Sequence, residues 1–319
     1  MVCKNCKEKS VITLTNSNIS LCKNCFIKYF EKKVKKTITD YKLIEKNDII
    51  IVACSGGKDS TTLLYLIKKI IGPRKDTKLK VLAINEGIHG YRDKSLKFLK
   101  QFCKEQEVEL NIYSYKKEFG KSLDEILKTY KGIPCSICGV LRRYLLNKKS
   151  KELGATKLAT GHNLDDEAQS ITMNYFKNNI KMSARLGPIT GINKNDKFIP
   201  RIKPLYFLTE KEVTAYAFLK GFMDEFNECP NSPYSYRGQI RDMLNEFESK
   251  YPGTKHSIIL SFLETIPLLK NHYKNDPNVI KTCKSCDEPC SQDICKACQY
   301  IETVIKAKNT PTISLNIRK

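Results

Sequence analysis

The densest chemistry in the chain lies in Ser55-Gly56-Gly57-Lys58-Asp59-Ser60. It follows the apolar run Asp48 to Cys54 and precedes Thr61 to Ile70, whose apolar residues recur with a helical period. Strand, glycine turn and helix start, in that order, build an anion site. Gly56 and Gly57 let the backbone approach a ligand, and the first helical N–H groups point at it. Ser55 and Ser60 add hydroxyls, and Lys58 adds a cation. The stretch is not a Walker A loop: Asp59 follows the lysine, and no glycine stands at the required distance before Gly57. The plain alternative is an ordinary Gly-Gly turn between a strand and a helix.

Cysteine is the second resource, with 14 in 319 residues. No apolar run approaches the ~18 residues of a membrane span, and MVCKNCKEKS lacks the apolar centre of a signal peptide. The expected location is therefore the cytoplasm, away from membranes. Thiols there serve metals or sulfur chemistry rather than disulfides. Cys3-x2-Cys6 and Cys22-x2-Cys25 are separated by 15 residues. Cys283-x2-Cys286 and Cys295-x2-Cys298 are separated by eight. Each set offers four thiolates to one tetrahedral zinc and leaves no open position, so both read as structural sites. Cys290 lies inside the second loop and leaves that ligand choice open. Cys54 and Cys103 sit in apolar segments and read as core.

Cys135 and Cys138, in Ile-Pro-Cys-Ser-Ile-Cys-Gly, and Cys229, in Glu-Cys-Pro, belong to neither set. Two chemistries suit them. Cys135 and Cys138 form a redox dithiol, or the three thiolates hold three irons of a [4Fe–4S] cluster and leave the fourth open. A further group of polar residues, Gly161-His162-Asn163-Leu164-Asp165-Asp166-Glu167, follows a strand-like segment. Acids at a helix start cap it; the functional reading has Asp165 or Asp166 facing the nucleotide and His162 contacting phosphate.

These groups must be held by something. Strand-like segments at 48–54, 79–84, 109–113 and 157–160 alternate with helix-like segments at 60–71, 91–106, 122–130, 139–153 and 165–177. That order predicts a doubly wound parallel α/β sheet, with ligands beyond the carboxyl ends of its strands. Residues 178–209 read as loop and 210–270 as helical. Lys and Arg outnumber Asp and Glu by 56 to 34, a formal charge of +22 that favours a polyanion partner. Arg142-Arg143, Arg185, Arg201 with Lys203, and Arg237 with Arg241 place cations near the motifs. Trp is absent, but 16 Tyr and 13 Phe are available for stacking on bases.

SGGKDS resembles the PP-loop of ATP pyrophosphatases. Cys3 to Cys25, SGGKDS, PCSICG at 134–139, GHNLDDEAQ at 161–169, Cys229-Pro230 and the C-terminal cysteines form an ordered set. That set resembles the tRNA 2-thiouridine synthetase family along nearly the whole chain. The resemblance implies an N-terminal four-cysteine zinc finger (1–30), a PP-loop catalytic region (31–270) and a C-terminal four-cysteine zinc finger (271–319). It implies ATP with Mg²⁺ at Cys54, Ser55, Gly56, Gly57, Lys58, Asp59, Ser60, Gly161, His162 and Asp166. It makes Cys135, Cys138 and Cys229 the ligands of a [4Fe–4S] cluster, and Asp165 the acid/base or Mg²⁺ residue. The uridine C2 oxygen of tRNA is adenylated and sulfur then displaces AMP. The implied partners are tRNA, a second copy in a homodimer, and a sulfur donor. That donor is sulfide, a persulfide enzyme or a ubiquitin-like thiocarboxylate carrier. The wobble uridine is the expected target, although family members also act in the T-loop. Competing readings are a persulfide on Cys135 or Cys229 without a cluster, an amidotransferase-type adenylating enzyme, tRNA cytidine thiolation, and a non-catalytic RNA-binding protein.

Overall fold

The computed structural model describes residues 1–191, 198–222, 229–232, 235–274 and 281–306. The chain begins with an antiparallel pair, β1 (Ile12–Thr13) and β2 (Ser20–Leu21). Helix Lys23–Asp40 follows and buries Phe26, Phe30, Val34, Thr37 and Ile38 along one stripe. Phe30 stacks on Tyr216 at 4.2 Å, which fixes this helix against helix Glu210–Lys220.

The centre is a parallel sheet of β3 (Ile49–Ala53), β4 (Lys78–Asn85), β5 (Leu110–Ser114), β6 (Lys157–Thr160) and β7 (Arg201–Ile202). Its order is β5-β4-β3-β6-β7. The three central strands, β4, β3 and β6, are apolar on both faces because both faces are covered. Ile50 and Val52 of β3 join a core with Leu63, Leu64 and Ile67, while Ile51 points to the opposite core with Leu141 and Leu145. β4 alternates likewise: Val81 and Ala83 lie on one side, Leu82 and Ile84 on the other.

From β3 the chain steps outward through β4 to β5, then returns to the other side of β3 at β6. The crevice beyond the carboxyl ends of β3 and β6 is therefore the topological switch point, where ligands of such sheets bind. A third core, with Leu164, Ala168, Tyr206, Leu244 and Phe262, joins helices Leu164–Phe176, Tyr236–Lys250 and Thr254–Tyr273 to the sheet edge. The last described elements are β8 (Lys281–Thr282), β9 (Pro289–Cys290), helix Lys296–Tyr300 and a π-helical turn Ile301–Ile305. This last unit packs on helix Pro134–Glu152, where Lys151 pairs with Glu288 at 2.9 Å.

The sequence expectation differs from the structure in two places. Residues 178–209 are not all loop: helix Ile180–Ser183 and β7 lie within them. β7 is too short for periodicity to show, and its neighbours hold it, through Leu158 N–H to the Pro200 carbonyl and the bridge of Ile189 with Ile202. The helix expected from 139 starts at Pro134, the first-turn position that suits proline. Cys135 and Cys138 thereby lie about one turn apart at its start, on one face.

Candidate active site and thiol centres

The turn after β3 closes on itself. Ser55 N–H donates to Ser60 Oγ at 3.2 Å, Gly57 N–H to Ser55 Oγ at 3.3 Å, and Ser60 Oγ to the Gly57 carbonyl at 3.0 Å. Gly56 has φ +84°, and a Cβ there would lie 2.3 Å from the Ser95 carbonyl oxygen, so only glycine fits. Gly57 precedes helix Lys58–Ile71, and no side chain caps that helix, which leaves its first amides to a ligand. Gly161 brings the loop after β6 alongside: a Cβ there would come 3.0 Å from the backbone of Asp59 and Ser60. Cys54 lies beneath the turn, not among the groups that face its mouth. Burial pushes its thiol well up, and Sγ donates to the Ser60 carbonyl at 3.6 Å.

Carboxylates hold the cation. Lys58 Nζ pairs with Asp59 at 3.0 Å and with Glu210 at 3.1 Å. Burial pulls the Lys58 pKa down, but the two acids outweigh it and leave the ammonium above its ordinary value. Asp59 Oδ1 accepts from Asn163 Nδ2 at 3.1 Å. Asn163 also caps helix Leu164–Phe176 in a capping box with Asp166.

Asp165 and Asp166 part company. Asp165 is buried; Lys255 Nζ donates to its Oδ1 and the Glu210 N–H donates to its Oδ2 at 2.8 Å. It therefore fixes the helix that carries Glu210. The residue facing the loop is Asp166, whose Oδ1 accepts from Arg237 Nη1 at 3.2 Å. Burial pushes its carboxyl up to about 6, against the pull of Arg237 and with help from the Asp59 charge. His162 Nδ1 shares a hydrogen bond with Thr160 Oγ1 at 2.9 Å. Burial, then the charges of Lys203, Arg237, Arg201 and Arg142, hold His162 well below its ordinary value, so its ring is neutral. Four cations thus face one imidazole. Burial and the charge of Arg143 bring Arg201 down to about 10. Among the described residues neither Arg143 nor Arg201 has a carboxylate partner. Such a basin suits phosphate.

The cysteines separate into two kinds. Cys3, Cys6, Cys22 and Cys25 form one group and Cys283, Cys286, Cys295 and Cys298 another; in each, all sulfurs lie within 4.8 Å of one another. One ion with bonds of about 2.3 Å spans that separation. Backbone amides, led by a hydrogen bond from Cys22, lower Cys3 to about 6, as a metal-binding thiolate needs. Cys290 stands outside, with Sγ donating to the Gln292 carbonyl at 2.8 Å. Cys135, Cys138 and Cys229 do not fall within one such sphere. They nonetheless come together from distant segments. Cys135 Sγ donates to the Asn231 carbonyl at 3.4 Å, and Cys138 and Cys229 flank the same core. Burial raises Cys135 and brings Cys138 to about 11, the Cys229 charge adds to both, and Arg142 opposes both. Three thiols too far apart for one ion fit separate irons of a cluster.

Sequence reasoning missed Glu210 and Lys255, gave Asn163 no role of its own, and placed Lys203 only as a cation near the motifs. Lys203 is buried against Glu167 at 2.7 Å. Only Asn163, three residues before an acid at a helix start, carried a local signal. The others act through partners more than 30 residues away.

A five-stranded parallel sheet with this glycine loop at its switch point defines the PP-loop class of nucleotide-binding domains, and the PP-loop domain model matches residues 27–247. The model for the N-terminal LIM domain of the 2-thiouridine synthetase TtuA matches residues 2–27. The chain is 35% identical over 318 residues to the tRNA 2-thiolation protein NcsA of Haloferax volcanii, covering 95% of this chain and 99% of that one. It is 39% identical over 300 residues to a tRNA-5-methyluridine(54) 2-sulfurtransferase of Pyrococcus horikoshii, covering 94% and 93%. A solved structure, the U34-tRNA thiolase NcsA from Methanococcus maripaludis with its [4Fe-4S] cluster, superposes with TM-score 0.81 at 33% identity, over 98% of this chain and 99% of that one. The chain belongs to the PP-loop family of tRNA 2-thiolation proteins. No helix among the described residues is long and apolar enough to cross a membrane.

Proposed function

We infer that this protein replaces the C2 oxygen of a tRNA uridine by sulfur, at the expense of ATP, and that the target is the wobble uridine. The observation that carries the reading is that Cys229 lies near Cys135 and Cys138, outside both closed four-thiol groups, with Cys135 Sγ on the carbonyl of Asn231, two residues from Cys229. The full-length likeness to a U34 thiolase favours the wobble position.

ATP lies over the turn, with its phosphates on the amides of helix Lys58–Ile71 and Lys58 leaving Asp59 and Glu210 to reach them. Mg²⁺ bound with ATP would offset the remaining phosphate charge. Asp166, at about 6, is charged at pH 7 and takes the uridine N3 proton as O2 attacks the α-phosphorus. Pyrophosphate leaves. The sulfur nucleophile then adds at C2, AMP departs with the old oxygen, and the proton carried by hydrosulfide returns to N3. No electrons change hands. Cys135, Cys138 and Cys229 would hold a [4Fe–4S] cluster, which would supply the place where that sulfur is held. The arginine basin grips the RNA backbone, and a loop uridine can be turned out to the crevice. Each closed four-thiol group holds one zinc and folds its own small segment.

Anaerobic protein with ATP, Mg²⁺, sulfide and unthiolated tRNA tests the reading, with products mapped by nuclease digestion and mass spectrometry. One uridine should gain the sulfur-for-oxygen mass at the wobble position, with AMP released. A shift in the T-loop instead would correct the target. AMP without any shift would make a protein sulfur carrier obligatory. The homodimer that the resemblance implies is read from the mass of the same sample in solution.

A further inference from the structure

One buried acid touches both halves of the site. Glu86 directly follows β4 and is 3% exposed. Its Oε2 pairs with Arg92 Nε at 2.7 Å, and its Oε1 faces Arg142 Nη1 at 3.4 Å. Arg92 donates through Nη1 to the Ser55 carbonyl at 2.7 Å and to Ser95 Oγ at 3.2 Å, and through Nη2 to the Ile84 carbonyl. Ser95 is the residue whose carbonyl crowds Gly56. Arg142 lies one turn beyond Cys138 on helix Pro134–Glu152 and is half-exposed. A path therefore runs from the nucleotide loop to the cysteine helix, Ser55–Arg92–Glu86–Arg142, with no contact longer than 3.4 Å.

Stability alone does not require this arrangement, because a buried ion pair roughly breaks even with apolar packing. What the carboxylate supplies is geometry. It fixes two guanidinium groups relative to each other, and each is fastened to a different half of the site. The Glu86 backbone is held too, since its carbonyl accepts from the Leu123 N–H at 2.7 Å.

We propose that Glu86 is a positioning residue that keeps the nucleotide loop and the cysteine helix in register, so that uridine is activated where the sulfur nucleophile stands. This rests on the two-step reading given above. A displacement of about 1 Å costs on the order of 10²-fold in such a step. Without register the halves uncouple: O2 is adenylated, water rather than sulfur reaches C2, and uridine and AMP are the products.

The test counts AMP and 2-thiouridine together, in anaerobic holoprotein with ATP, Mg²⁺, sulfide and unmodified tRNA. Glu86→Gln keeps the side-chain size and removes the charge. Its 2-thiouridine-to-AMP ratio should fall by about tenfold or more, with ATP affinity kept within about twofold. Arg142→Gln cuts the path at its exposed end and leaves the buried pair whole, so it should lower the ratio alike. The double variant should be no worse than either single variant. If Glu86→Gln does not fold, Glu86→Asp, which keeps the charge and shortens its reach to Arg142, decides instead. An unchanged ratio, a parallel loss of AMP and product, or additive losses in the double variant overturn the proposal. No AMP and no 2-thiouridine from the wild type would instead sink the two-step reading itself.

Discussion

At each end of the chain four thiols close on one point, while in the middle three thiols stand further apart beside a nucleotide crevice. The end groups come from pairs close in sequence, so a local segment and one ion suffice to build them. The middle group takes two thiols from the start of helix Pro134–Glu152 and one from residue 229. It exists only once the sheet and its flanking helices are packed. A closed sphere can only hold shape, whereas an incomplete donor set on a folded scaffold leaves room for chemistry. On the proposed reading, the same side chain is structural or reactive according to how many of its kind converge and what lies beside them.

The comparison is broken most severely by removing one cysteine. Cys138→Ala should abolish 2-thiouridine and the iron-dependent colour while the protein stays folded; Cys25→Ala should instead lose zinc and local structure, read as a lower melting temperature and a drop in bound zinc. An equal melting-temperature loss in both would erase the distinction. Lys58→Ala comes next. It removes the cation shared by Asp59 and Glu210 and should cut AMP formation by about 10²–10³-fold, with iron content unchanged. Asp166→Asn should cost on the order of 10²-fold in rate. The wild-type rate should be full above the Asp166 pKa of about 6 and fall as pH drops through it, because protonation removes the base. That acid limb should vanish in the variant, and its survival would move the base elsewhere. The smallest effect belongs to the basin: Arg201→Gln or Arg143→Gln should lower the salt dependence of tRNA binding by about one counterion each and leave ATP binding alone.

Much of this was legible in the sequence, and the limits follow from range. β3, β4 and β6 are apolar runs buried on both faces, β5 is only half-buried, and the structure places all four within a residue or two of expectation. The glycine loop and the four-thiol pairs are local patterns. β7 has two residues and no pattern of its own. Asp165 and Asp166 are adjacent acids at one helix start, and nothing local says that Lys255 and the Glu210 amide claim the first while Arg237 meets the second. Glu86 and Arg92 look like ordinary surface charges in sequence, yet each is 3% exposed. Their roles appear only when β4, helix Tyr91–Glu105 and helix Pro134–Glu152 meet.

The central claim is that the middle thiols hold a different metal from the terminal ones. Iron and zinc per chain, measured in anaerobically prepared wild type and Cys229→Ala, test it most directly. The account predicts that the variant loses its iron and keeps both zinc ions. Iron retained in the variant, or zinc lost together with it, would contradict the separation of one reactive site from two structural ones.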